Sequence, residues 1–226
     1  MTPRRFRHLA VFAASALLAV AAMWAVFVHA PRERAMGEIQ RIFYIHVALA
    51  WVGIAAFVVL FAASALYLWN GRTALDRLAQ ATAETGVLFA TLVLVTGSIW
   101  ARGVWGAWWV WDPRLTSSLV LWMLYAAYLA LRRQVRDPLR RMRFSAVYAI
   151  IAFLDVPVVF FSIRWWRGQH PEPVGMAPEM LHAVLAACAA CTVLGALVVS
   201  LRCGTLKLEH ALEGLQAELR ERSKLS

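Results

Sequence analysis

Six apolar runs, at about 9–28, 44–69, 83–99, 116–131, 144–163 and 177–201, divide the sequence, and no segment between them is long enough to fold as a soluble domain. A helix rises 1.5 Å per residue, so roughly 20 apolar residues cover the hydrocarbon of a bilayer. A backbone placed in lipid must satisfy its own hydrogen bonds, which restricts such runs to helix. The composition agrees, with 62% of residues apolar and 16% charged, against roughly 45–50% and 25% in soluble domains. The expected fold is therefore all-α: a polytopic membrane protein with six transmembrane helices in one domain over 1–201. The tail over 202–226 is polar and helix-prone, with Leu206, Leu208, Leu212, Leu215 and Leu219 giving it a partial apolar stripe.

The first run follows Arg4, Arg5 and Arg7 and has the look of a signal peptide. It is about 20 residues long, beyond the ~7–15 of a usual h-region. Pro31 directly after Val28, His29 and Ala30 would block cleavage there, so an uncleaved first span is expected.

A net charge of +10 could suggest nucleic acid, but the arginines stand in short clusters between apolar runs. That is the pattern of membrane orientation, not of a basic recognition face. One side of the membrane collects sixteen Lys and Arg: three before the first run, two after the second, six after the fourth and five in the tail. The other side has seven: three in 31–43, two in 101–115 and two in 164–176. The positive-inside rule then puts both termini in the cytoplasm. In a bacterium, the loop around 100–115 would face the periplasm from the inner membrane.

That loop is the most unusual stretch of the chain. Trp100, Trp105, Trp108, Trp109 and Trp111 are five of eleven tryptophans within twelve residues, followed by Asp112, Pro113 and Arg114. Single tryptophans such as Trp24, Trp51 and Trp69 fit an interfacial belt. A cluster this dense suits a large, flat, apolar ligand bearing negative groups, and haem is the leading candidate. In a short interfacial helix, Trp105, Trp108, Trp109 and Asp112 would share one face at i, i+3, i+4 and i+7. The rings would form a continuous platform ending in a carboxylate, with Gly103 and Gly106 allowing close backbone approach.

Of six histidines, His29, His46, His170 and His182 fall at or near the same outer surface as the tryptophans. Two imidazoles from separate elements can saturate haem iron. His46 follows Phe43 and Tyr44, and His170 follows Trp165 and Trp166, so each has aromatic neighbours. Arg102, Arg114, Arg164 and Arg167 are candidate cations for the haem propionates. Cys188 and Cys191 have the spacing of a redox pair but lie mid-span among alanines, where nothing would stabilise a thiolate, so helix packing is their expected role. Asp155, in the fifth run, precedes Pro157 and is expected to take up backbone groups freed by a kink.

The chain resembles the CcmC family, haem exporter protein C, of the bacterial cytochrome c maturation system. The resemblance runs over nearly the whole chain: Arg41 to Val47, Thr96 to Trp100, Trp105 to Asp112 with Arg114 to Ser117, and Ser162 to Trp166 leading to His170. The tryptophan motif is the signature of a superfamily of haem-handling membrane proteins named for its WWD domain. The resemblance implies that His46 and His170 are axial ligands of a b-type, non-covalently held haem carried as cargo. It implies that Trp105, Trp108, Trp109, Trp111 and Asp112 cover that haem and offer it to a periplasmic haem chaperone. It implies partners too: ABC transporter subunits and a small single-span protein, within the lipid bilayer and without nucleic acid. Two features depart from the family pattern: Pro171 follows His170, and Asp155 stands where an uncharged amide is expected.

The implied role is haem export and transfer, not catalysis, and no Walker-type nucleotide motif occurs in the chain. The rival reading is a bis-histidine b-type membrane cytochrome carrying electrons, which would bury its haem inside the bundle. A small-molecule transporter would need a polar midplane site, and the runs offer little beyond Asp155 and Glu84.

Overall fold

The computed structural model describes residues 3–166, 168–170 and 175–225. It contains seven α-helices: α1 (Pro3–Trp24), α2 (Gln40–Asn70), α3 (Thr73–Trp105), α4 (Pro113–Gln134), α5 (Pro138–Ala152), α6 (Asp155–Trp165) and α7 (Pro178–Leu225). A π-helical turn, Ala25–His29, prolongs α1. No sheet forms among the described residues; the one β-type pairing is an isolated bridge between Glu33 and Gly37. Six segments are long and apolar enough to cross a membrane, with α5 and α6 together making one of them. The chain is a multi-pass membrane protein.

Several helices outrun their apolar cores. The helix α3 starts at Thr73, nearly three turns before the expected span, because its early polar residues are paired and not solvated. Arg132 of α4 grips Asp76 through two hydrogen bonds of 2.7 and 2.8 Å, and Gln80 accepts a third of 2.9 Å. The amide of Gln80 donates to Glu84, and Glu84 in turn receives Arg202 of α7. This chain of charges ties α3, α4 and α7 together at the end of the bundle remote from the tryptophan loop. Arg202 also pairs with Glu209 at 2.9 Å, one reason why span and tail form a single helix, α7.

The core is built where α2 packs on α3 and α5, and α4 on α3, α5 and α6. Phe57, Leu60 and Ala63 pack with Ala79, Ala83, Leu121, Tyr125, Ala149, Ala152 and Val156. Phe57 and Tyr125 lie face to face, 3.8 Å between centroids and 9° between planes. In lipid there is little hydrophobic drive between helices, so close packing over small residues carries association. Gly86 shows it: a Cβ there would lie 2.5 Å from Cε1 of Phe57.

The fifth crossing breaks at Phe153 and Leu154, just before Asp155 and Pro157. The expected role of Asp155 is not what the break shows. Its Oδ2 is buried without a hydrogen-bond partner among the described residues, and the amides at the break bond to the carbonyls of Ala149, Ile151 and Phe153. Cys188 and Cys191 are free thiols half-buried against the packing layer of Tyr44, Ala183 and Ala187, in keeping with helix packing.

Candidate functional site

The loop between α3 and α4 is the centre of the site. Its expected helix does not form. Trp105 is the last residue of α3, and Gly106 closes that helix in the left-handed region at φ 74°. Asp112 opens α4 as its N-cap with extended backbone, and Pro113 takes the first helical position. Between the two caps the chain has no helical turn, so the i, i+3, i+4, i+7 face and its continuous platform are absent. The rings form two edge-to-face pairs instead. Trp100 and Trp105 meet at 5.3 Å and 83°, and Trp109 and Trp111 at 5.9 Å and 80°.

The two glycines assigned to ligand approach have other tasks. Gly106 supplies the helix stop. Gly103 packs on the start of α2, where a Cβ would lie 2.4 Å from Cδ1 of Ile39.

Trp108, Trp109 and Trp111 roof an open, almost wholly apolar cavity of about 580 Å³ with Leu94, Val95, Ser98 and Ile99 of α3 and Leu119 of α4. The hydroxyl of Ser98 donates to the carbonyl of Trp108 at 2.7 Å and fastens the roof to α3. Trp111 is 78% exposed and Trp108 59%. The indole N–H groups of Trp100 and Trp109 are buried with no hydrogen-bond partner among the described residues. An unsatisfied buried donor is costly, and a ligand acceptor would relieve it.

Asp112 is only 5% exposed, and it is the knot of the site rather than the rim of a platform. Its Oδ1 accepts from the amides of Arg114 at 2.8 Å and Leu115 at 3.4 Å. Its Oδ2 accepts from the amides of Gln169 at 2.6 Å and His170 at 3.3 Å. One carboxylate thus caps α4 and holds the loop that carries His170. Gly168 makes the fit possible, since a Cβ there would lie 2.0 Å from Oδ2 of Asp112.

His46 enters from α2, about two turns past Gln40. Its Nδ1 lies 3.0 Å from Oγ1 of Thr96 on α3. Gly97 leaves room for the ring, because a Cβ there would approach Cε1 of His46 to 3.0 Å. His46 is within electrostatic reach of both His170 and Arg114. The start of α2 is itself anchored: Arg41 donates to Glu38 and to the carbonyls of Val26 and Ala30, tying α2 to the end of α1. The Arg41 guanidinium holds the exposed carboxyl of Glu38 below the usual range.

The structure thus brings together His46, His170, Arg114 and Asp112, from α2, α4 and the loop after α6. The remaining expected residues are dispersed. Arg102 donates to the carbonyl of Gly106 in its own loop, and Arg164 is exposed at the end of α6. Arg167 lies outside the described residues. His29 and His182 stack on each other, 5.9 Å apart with 23° between planes, and Trp24 stacks on His29 in turn. Thr96, Gly97, Ser98 and Gly168 were not singled out by sequence reasoning as site residues. Only the first three had any signal, as part of a segment matched by resemblance without an assigned role.

The donor set suits haem. Two imidazoles, a half-buried guanidinium, orphaned indole donors and an apolar cavity meet the demands of iron, propionate and porphyrin. Among the described residues no group of three or more His, Cys, Asp or Glu could hold a bare metal ion.

Known proteins are similar to this chain over much of its length. Positions 3–218 match the family model described as Heme exporter protein C. The chain is 39% identical over 142 residues to Heme exporter protein C of Bradyrhizobium diazoefficiens, covering 62% of this chain and 54% of that protein. It is 36% identical over 156 residues to Heme exporter protein C of Escherichia coli, covering 68% and 62%. A ccmC-like mitochondrial protein of cytochrome c biosynthesis from Marchantia polymorpha is 30% identical over 154 residues, covering 68% and 65%. The chain thus spans between half and two thirds of the length of these relatives.

Proposed function

The chain belongs to the haem exporter protein C family, and from that premise we propose that it binds haem at the periplasmic face of the bacterial inner membrane and delivers it to a periplasmic haem chaperone for cytochrome c maturation. His46 and His170 hold the iron of a b-type, non-covalently bound cargo. Arg114 meets a propionate, and the tryptophan loop covers the porphyrin. Both termini lie in the cytoplasm, in accord with the distribution of Lys and Arg. The chain has no nucleotide-binding motif and no catalytic role, so an energy-coupled step belongs to ABC transporter subunits acting with it and a small single-span protein.

The observation that supports this reading is that the tryptophan loop is tied toward both histidines, 124 positions apart in the sequence: its Asp112 accepts the amide of His170, and its Trp108 is fastened by Ser98, two residues beyond the Thr96 that meets His46. The electron-carrier alternative is disfavoured by exposure. A haem that only cycles electrons is best enclosed, whereas the roof here is open and Trp111 projects from it. That suits a cargo which must be handed over.

The test is to purify the parent, His46→Ala and His170→Ala from haem-replete membranes and compare haem content and absorption spectra. Loss of the six-coordinate low-spin spectrum in both variants is expected. Unchanged haem and spectrum in both would overturn the assignment.

A further inference from the structure

We propose that Thr96 fixes His46 as the tautomer protonated at Nδ1 and so presents an unprotonated, strengthened Nε2 to the haem iron; this deepens the proposed haem site and rests on it. The available hydrogens decide the tautomer. A threonine hydroxyl has one proton to give. That of Thr96 is spent on its own helix, because Oγ1 donates to the carbonyl of Leu92 at 2.7 Å, with the carbonyl of Val93 at 3.3 Å alongside. What Oγ1 offers His46, 3.0 Å away, is a lone pair. The imidazole must supply the hydrogen, so Nδ1 carries it. In the neutral ring Nε2 is then the bare nitrogen, the form that binds a metal.

The opposite tautomer would set two lone pairs against each other at 3.0 Å or force the hydroxyl off Leu92. A partner that accepts from the far nitrogen of a ligating histidine also orients the ring and raises its basicity. Such partners are usually carboxylates, carbonyls or waters; a back-bonded threonine does the same work without placing a charge in the bilayer. Gly97 completes the seat. A Cβ there would lie 3.0 Å from Cε1, 3.6 Å from Nδ1 and 4.0 Å from Nε2, so its absence makes room for the ring beside Thr96.

Thr96→Val keeps the branched shape and removes the acceptor; Thr96→Ser restores it. In protein from haem-replete membranes, Thr96→Val should retain haem roughly 10–100-fold less tightly. The iron that remains should have a higher midpoint potential, because a less basic imidazole stabilises the ferric state less. Thr96→Ser should return both to parental values. Thermal unfolding of the three proteins in detergent separates this from a folding defect, since lost stability alone leaves the potential of bound haem in place. If His46→Ala loses the spectrum while Thr96→Val keeps the parental affinity and potential, Thr96 serves only its own helix and the inference is wrong. Failure of Thr96→Ser to restore the potential would overturn it as well. If His46→Ala itself leaves the spectrum unchanged, the ligand assignment fails first and the role of Thr96 falls with it.

Discussion

Asp112 accepts the main-chain amide of His170 at 3.3 Å, and that of Gln169 at 2.6 Å, on the same carboxylate that caps α4. The acid of the tryptophan motif therefore acts on the far histidine through the backbone. Losing the cap costs about 1 kcal/mol, and losing the charge-assisted bonds to the loop costs roughly 1.5–3 kcal/mol more. Asp112→Ala should reduce bound haem and chaperone loading in equal proportion, as is expected of His170→Ala. A variant that keeps parental haem yet fails only in transfer would show that the carboxylate meets the chaperone directly.

Gly168→Ala should reproduce that phenotype without removing a charged group. Its new Cβ would lie 2.0 Å from Oδ2 of Asp112, so the loop or the cap must give way. Haem retention of the variant, measured beside Asp112→Ala and the double variant, checks this. The double should be no worse than either single if both act through one knot.

Trp111 is the most exposed ring of the tryptophan roof, and α4 begins only two residues beyond it. Trp111→Ala should lower transfer of haem to the chaperone more than it lowers retained haem. Equal loss of retention would place Trp111 in the binding surface instead.

Gly103 offers a control for the roles of glycine near the loop. Gly103→Ala should destabilise the fold by about 1–3 kcal/mol through overpacking against Ile39. Ile39→Ala in the same protein should recover most of that loss, with the haem spectrum intact. Failure of the rescue would return Gly103 to a role at the ligand.

Arg132 and Asp76 are 6% and 3% exposed. Removing either partner alone should cost roughly 3–5 kcal/mol, because the other is left buried and unpaired. Replacing both by apolar residues should cost less than either single change. Thermal unfolding in detergent decides it.

The number of crossings was legible because bilayer thickness sets helix length, and six apolar runs with at most one charged residue each leave little choice. The ends of α3 and α7 were not. Asp76 and Arg202 stand outside the apolar runs in sequence and Glu84 at the start of the third, and only their pairing across helices shows how α3, α4 and α7 are joined. The tryptophan loop misled for a local reason. Periodicity alone supported a helix, while Gly106 as a stop and Asp112 with Pro113 as a start both argued against one. His46 and His170 were found by resemblance and by side of the membrane. The seat made by Thr96 and Gly97, and the fit of Gly168 under Asp112, depend on helix packing that no sequence spacing encodes.

The unbroken length of α7 has a mechanical consequence. Its 48 residues amount to about 72 Å at 1.5 Å per residue. One end carries His182 against His29, and the other the leucines of the tail. Arg202, clasped to Glu84 of α3, sits between them as a fulcrum. A force that swings the tail is therefore felt as tilt at the opposite end of the rod, beside the start of α2 and its histidine.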